Sequence, residues 1–494
     1  MKVDKITIVG GGSAGWMSAA SLINAFPDKE IIVVESPDFP TIGVGESTLQ
    51  YIRPWMYSLG IKDEDWMEEC NATYKVSIRF QNWDGKDGHY HYPFGMPQYG
   101  EYTDFDYYNF SRLVEDVPNN EWAEVFFPAA LMAENNLLVE KMEGWDLKQN
   151  SAYHFDAVKF AQWLKNEYCL PRGVKIINQT VTAIDTNNQG IERVHCDVDF
   201  PGVPFRGDNA LTSDLWIDCT GFKSLLMNAI GTKFRDYSNG LVNDSAWVTQ
   251  LPECYPKQYY TNCTTLDNGW VWKTPTAKRT GTGYVFSSRY VDNEQALEEF
   301  KEHLNRDDKL HFRLLNWKHG RQERMAKQNV VAIGLAAGFI EPLESGGLLT
   351  THESLNILIK CLQRGVFNGG EKAAFNYAMG NRFDDFADFV VAHYQYSTRD
   401  DTPYWKDAHL HKLRNNNALE EFYTSTLKES RVIPFNAHYN AIAFGQGINT
   451  VSNYDVKFEE LFGNPGMLED GKKFRKWILK RQEGWLKYIK ENGK

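Results

Sequence analysis

The sequence predicts an α/β fold built around a dinucleotide site, with a helix-rich substrate region interleaved along the chain. Three observations carry this. Gly10, Gly12 and Gly15 stand in G-x-G-x-x-G spacing between an apolar strand, residues 6–9, and a helix running to residue 25. A second apolar strand, residues 30–34, ends at Glu35, 20 residues after Gly15. Two later runs, residues 214–221 and 329–338, read as strands with small residues at their exits.

Each element has a physical reason. The glycines permit a tight turn and let a pyrophosphate approach the helix N-terminus, with Ser13 and Ala14 completing the turn. Glu35 ends its strand where a carboxylate can hold a ribose hydroxyl. Three strand ends, near residues 10, 220 and 335, suit a long two-part cofactor threaded across one Rossmann-like sheet. That favours FAD over NAD and puts Gly334 and Gly338 among its candidate neighbours, although ordinary parallel-strand turns have the same composition. No second G-x-G-x-x-G of this quality is evident, so reduced flavin is expected from elsewhere.

The 494 residues, 42% of them hydrophobic, can bury a large core, and 15 Trp, 25 Tyr and 29 Phe can also wall a pocket for a flat ring. A net charge of −12 argues against nucleic acid as a partner. Seven scattered cysteines without a C-x-x-C pair argue for a reducing, cytoplasmic setting and against a zinc or disulfide framework. No apolar run approaches membrane-spanning length and no leader segment precedes the first strand, so no membrane role is expected.

The segment 339–347, Phe-Ile-Glu-Pro-Leu-Glu-Ser-Gly-Gly, follows a buried strand and precedes a helical pattern over residues 348–362. Ser345, Gly346 and Gly347 therefore belong at a helix N-terminus, where free N–H groups favour a small anion. Glu344 stands beside it, placing an acid/base next to the anion.

These residues together resemble the flavin-dependent halogenases of the tryptophan halogenase family. The carriers are Gly10-Gly-Gly-Ser-Ala-Gly-Trp16, Thr41-Ile-Gly-Val-Gly-Glu-Ser-Thr48, and an F-x-x-P-x-x-S-x-G motif through Phe339, Pro342, Ser345 and Gly347. Trp270-Val-Trp-Lys-Thr-Pro275 is similar to the family's W-x-W-x-I-P, with Thr274 where isoleucine is usual. Tyr153-His-Phe-Asp156, His393-Tyr394, Arg399 and Trp405 also resemble family positions, and the likeness spans roughly residues 5–405. The resemblance implies that reduced FAD, O₂ and halide give hypohalous acid, which travels inside the protein to an essential lysine, Lys75. It implies Glu344 as the active-site glutamate. Gly45, Glu46 and Ser47 join the cofactor set, and Trp270, Trp272, Phe339 and Pro342 line the route and keep flavin and substrate apart. A separate flavin reductase completes a two-component system.

Several residues have plainer readings. Lys75 alternates with Val76 in residues 74–80, the pattern of a half-buried strand with Lys75, Ser77 and Arg79 on a charged outer face. Glu344 is compatible with a helix-start carboxylate, and Glu341 is its nearby competitor. The family commonly has Ser-Thr-Gly where this chain has Ser345-Gly346-Gly347. The lost side chain predicts a roomier halide pocket that takes bromide or iodide at least as well as chloride.

Residues 84–110 are rich in Tyr, His and Phe, and Tyr92 and Phe94 are the candidates for a substrate wall, with simple packing as the alternative. His89 and His91 share a strand face, but no further ligand is apparent, so no metal is expected. The expected substrate is a small electron-rich aromatic, an indole or a phenol. Residues 472–494 hold nine Lys/Arg and two Glu, with Phe474, Trp477, Ile478, Trp485 and Ile489 on one helical face. A terminal helix docked on its own domain is preferred over a membrane-surface or partner helix. The FAD region is expected over 1–60, 150–240 and 320–365, the substrate region over 61–149, 241–319 and 366–494, and the protein as a homo-oligomer.

Overall fold

The structure, a computed structural model, describes residues 2–38, 46–98, 108, 111–112, 115–197, 210–252, 258–305, 309–410, 413, 436–447 and 466–494. The chain divides into two compact units, each drawn from three stretches. The first comprises Met1–Ala72, His154–Asp244 and Asn316–Ala387; the second comprises Thr73–Tyr153, Ser245–Leu315 and Asp388–Lys494.

The first unit is α/β. Its six-stranded sheet runs in the order Lys175–Asn178, Glu30–Glu35, Lys5–Val9, Leu215–Asp218, Val330–Ala332, Ala326–Lys327. Only the last pairing is antiparallel. Ile6, Ile8, Ile31, Ile32, Leu215, Ile217, Val330 and Val331 are buried, as expected of strands covered on both faces. The strands ending near residues 10, 220 and 333 are adjacent, so their carboxyl ends open on one edge of the sheet, where α/β folds bind ligands. The helix Ser13–Ala25 leaves the first strand and begins one residue after Gly12.

The second unit is built on a seven-stranded sheet of Arg313–Asn316, Ser245–Leu251, Thr280–Phe286, Gly269–Pro275, Tyr260–Leu266, Ser77–Gln81 and His89–Pro93, in that order. Tyr260–Leu266 and Ser77–Gln81 run parallel; their outer neighbours, Gly269–Pro275 and His89–Pro93, pair with them antiparallel. Lys75 ends a separate short strand, Thr73–Lys75. The expected charged outer face fails here: Lys75 and Ser77 are fully buried and only Arg79 reaches partway to solvent. The helix Pro128–Asn135 lies against this part of the sheet, so both faces of the strand are covered.

The helix Gly466–Asn492 docks on the second unit. Trp485 and Ile489 enter a cluster with Val76, Ala129, Leu131, Met132 and Trp145. Arg475 holds Glu121 through two hydrogen bonds of 2.8 and 2.6 Å and Glu115 through one of 2.7 Å. Trp477 departs from the expected buried face and is 52% exposed. Among the described residues no helix is long and apolar enough to cross a membrane. Ile489→Ala should cost about 2–5 kcal/mol by urea denaturation, because it empties a packed site, whereas Trp477→Ala should stay within about 0.5 kcal/mol.

Candidate active site

The glycine turn has the shape a pyrophosphate needs. Gly10 has φ +115°, and a Cβ there would sit 2.2 Å from the Cys219 carbonyl oxygen. A Cβ on Gly15 would meet the Gly10 oxygen at 1.9 Å, so both positions admit only glycine. Gly12 meets nothing within 4 Å and leaves open space at the N-terminus of a 13-residue helix. Ser13 donates to the Ala157 oxygen at 3.4 Å. Gly334 (φ +67°) adjoins Ala14, whose Cβ would lie 2.7 Å from an added Cβ. Glu35 closes the second strand with its carboxylate 2.7 Å from Lys165 Nζ, a partner 130 residues away that no local pattern reveals. Gly338 differs. An added Cβ would strike the Gly320 oxygen at 2.6 Å, so packing of two strands accounts for that glycine.

Glu46 and Ser47 form a short strand paired with Phe155 and His154. Gly45 lies outside the described residues. Glu46 is half-buried over the whole residue, yet its carboxyl is surrounded by enough protein that burial pushes it up to about 7.

The anion segment is arranged as the sequence predicts. Pro342–Glu344 forms one tight turn, Ser345 takes a left-handed φ of 55°, and the helix Gly347–Leu362 begins. Ser345 Oγ lies 3.1 Å from Ser47 Oγ, which joins two sequence motifs 298 residues apart. Glu344 is completely buried, whereas Pro342 is exposed. Glu341 is also buried; Asn243 Nδ2 donates to it at 3.1 Å, and His319 Nε2, hydrogen-bonded to the Asn243 oxygen, lies 3.6 Å from its carboxylate. Burial pushes His319 down to about 4, so that contact is no ion pair at neutral pH. Phe339 packs edge-on to Trp317 and Phe222 and stacks on His319.

The space expected from Gly346 is already filled. A Cβ there would sit 2.2 Å from Phe386 Cε1 and 2.3 Å from Cζ. Phe386 comes from the helix Gly369–Tyr396, which the local motif does not reveal. Gly334, Leu335, Gly338, Phe339, Ile340, Gly346, Gly347, Thr350, Phe383 and Phe386 line a narrow cleft open to solvent. Its wall is apolar apart from backbone and the Thr350 hydroxyl.

In the second unit Lys75 has its Nζ 5.1 Å from the centre of the Phe94 ring. Val76 accepts from the Phe94 N–H at 2.9 Å, fixing that ring beside the amine. Tyr92 is buried edge-on to Phe94 and Phe389. Trp270 and Trp272 sit 6.1 Å apart on the strand Gly269–Pro275. That strand ends where Thr73 Oγ1 donates to the Pro275 oxygen at 2.9 Å, two residues before Lys75. Lys75, Phe94 and Tyr92 are thus brought together at one end of this unit. The premise that His89 and His91 have no further candidate ligand nearby does not hold: Glu134, from a helix 43 residues beyond His91, stands against both.

The first unit thus joins a parallel α/β nucleotide fold to a buried carboxylate at a helix N-terminus, and the second unit holds a buried lysine among aromatic rings. Residues 5–457 match the family described as Tryptophan halogenase, and the chain belongs to that family. It is 34% identical over 426 residues to tryptophan 7-halogenase RebH of Lentzea aerocolonigenes, covering 82% of this chain and 78% of RebH. It is 34% identical over 451 residues to tryptophan 6-halogenase SttH of Streptomyces toxytricini, covering 82% and 80%. Among solved structures it resembles VirX1 (TM-score 0.89, 35% identity, 100% and 98% covered). It also resembles BrvH, a flavin-dependent halogenase from Brevundimonas sp. BAL3 (TM-score 0.85, 26% identity, 99% and 98% covered). The chain is accordingly an enzyme, a flavin-dependent halogenase of aromatic substrates. It is therefore neither a flavin monooxygenase that hydroxylates the ring directly nor a non-enzymatic flavin-binding scaffold, the two alternatives a dinucleotide motif by itself leaves open.

The Glu46 carboxyl gives a pH prediction. Between about pH 4.5 and pH 7 the folded state holds a proton that the unfolded chain has lost. Its contribution is therefore present below 4.5 and disappears as pH rises through about 7. Thermal melts without added flavin should show a flatter pH slope in this window for Glu46→Gln than for the parent.

Proposed function

We propose that this halogenase modifies electron-rich indoles or phenols with hypohalous acid directed by Lys75, and that it accepts bromide or iodide at least as well as chloride. The observation that carries the reading is the complete burial of the Lys75 amine against the Phe94 ring. A lysine placed for solubility would snorkel to water; one kept inside has a partner or a reaction to serve.

Gly10, Gly12 and Gly15 fit a pyrophosphate at the open helix end, and Glu35 fits a ribose hydroxyl. FAD bound there in its reduced form supplies the electrons with which O₂ oxidises halide to hypohalous acid. Ser345, Gly346 and Gly347 offer the halide a helix N-terminus. The Lys75 amine donates a hydrogen bond to hypohalous acid, or exchanges a proton for the halogen and releases water. The aromatic ring then takes the halogen and loses a proton, and Glu344 receives it. Tyr92 and Phe94 wall the ring, while Trp270 and Trp272 block any shorter route. The single glycine-rich motif supports a separate reductase, and the six described free cysteines support a reducing, cytoplasmic setting.

The halide reading rests on desolvation. An apolar cleft disfavours the halide that holds water most strongly, and chloride does so more than bromide or iodide. Phe386, occupying the place of the family's threonine side chain, makes the wall more apolar still.

Mass spectrometry of reactions with chemically reduced FAD, mixed halides and a panel of indoles, phenols and free tryptophan should show halogenated product. Lys75→Ala should cut it by about 100-fold or more. Hydroxylated product made without halide, or unchanged yield in the variant, sinks the Lys75 route. Steady-state rates with each halide test the second half, and a strong chloride preference refutes it. Phe386→Ala combined with Gly346→Thr should move the kcat/KM ratio toward chloride by providing a hydroxyl donor in the freed space.

A further inference from the structure

The strand His89–Pro93 has two different faces. Tyr90 and Tyr92 stand level with Phe80 and Ile78 across the strand pair, whereas His89 and His91 stand level with Gln81 and Arg79. The histidine face looks onto the helix Pro128–Asn135, whose Glu134 Oε1 lies 2.7 Å from His89 Nε2 and 2.6 Å from His91 Nε2. The donor atoms of all three residues fall within 4.8 Å of one another.

Only the His91 contact with Glu134 meets hydrogen-bond geometry; His89 faces the same carboxylate oxygen as a 2.7 Å ion-pair contact. Ser77 Oγ, 2.8 Å from His91 Nδ1, fixes the ring with Nε2 turned toward the carboxylate. Metal-binding imidazoles usually donate their far N–H to an oxygen acceptor, a place the Ser77 hydroxyl can take here. We infer that His89, His91 and Glu134 form a site for one divalent transition ion of the Zn²⁺ class.

Two imidazoles and one carboxylate are a donor set for borderline ions, since Ca²⁺ and Mg²⁺ prefer oxygen alone. Bonds of about 2.0–2.2 Å to a tetrahedral ion put its ligands roughly 3.3 Å apart. Glu134 must back off slightly, and its side chain, 28% exposed, has room to do so. Glu124 adds a second carboxylate to the same field, held by Asn120 at 2.7 Å and Gln482 at 2.9 Å. Arg79 opposes the ion, with Nε 3.8 Å from Glu134 Oε1. Its Nη1 is retained by Gln81 and Asn262 at 2.9 and 3.1 Å. The bound ion would tie the strand His89–Pro93 to the helix Pro128–Asn135, bracing from behind the strand that ends beside Lys75.

Zn²⁺ alone, titrated calorimetrically into the chelator-stripped full-length protein, should bind one ion at this site and raise the melting temperature. Co²⁺ should give visible d–d bands. His89→Ala and Glu134→Gln should each weaken Zn²⁺ binding by about 100-fold, Ser77→Ala by about tenfold, and Arg79→Met should tighten it. Circular dichroism checks that each variant folds, and partly exposed His89 is the safest site to change. Absence of saturable Zn²⁺ binding, or binding unchanged in both His89→Ala and Glu134→Gln, overturns the site.

Discussion

An amine buried away from water at residue 75 constrains the second unit more than any other group. Taking an ammonium out of water costs several kcal/mol after relaxation, and a facing aromatic ring such as Phe94 returns about 2 kcal/mol or more when desolvated. The fold commits several elements to that position. The Phe94 N–H bonds Val76, the Val76 N–H bonds the Tyr259 oxygen at 2.7 Å, and Thr73 fastens to Pro275. A free-swinging surface lysine needs none of these.

The first unit obeys a different constraint, close backbone approach at the ends of parallel strands. Gly10 and Gly15 touch Cys219 and each other so tightly that one methyl group would force the turn apart. Cys219 itself is sealed behind that turn, and burial pushes its thiol up to about 12. A thiolate is the form that reacts with electrophiles, so a buried neutral thiol can survive in an enzyme that makes an oxidising halogen species. Asp218, directly before it, satisfies the N–H groups of Leu226 and Met227 at 2.9 and 3.0 Å and of Thr220 at 3.0 Å. These bonds tie the strand end to the turn and helix that follow it.

Local chemistry was legible in the sequence; long-range placement was not. The glycine turn, the strand ending at Glu35, the helix start after Ser345 and the paired indoles of Trp270 and Trp272 follow from spacing and period. Each depends on neighbours in the chain. Lys165 beside Glu35, Phe386 on Gly346 and Glu134 between two histidines depend on tertiary contacts across 130, 40 and 43 residues. Lys75 was misread by alternation alone for a related reason. Period-two patterning assumes one wet face, and a strand covered on both sides can place charged and apolar residues inside together.

The Gly346–Phe386 pair shows why a missing side chain is a poor measure of free space. Deleting a β-substituent leaves a void only when nothing else can enter it, and close packing makes that uncommon. Here a ring from the helix Gly369–Tyr396 takes the volume, so polarity changes where room was expected to. A threonine at this place would offer an anion a hydroxyl; a phenyl ring offers it none. If a halide sits here, as proposed above, selectivity depends on how much water each ion must shed, and the ion that sheds it most readily gains most from the exchange.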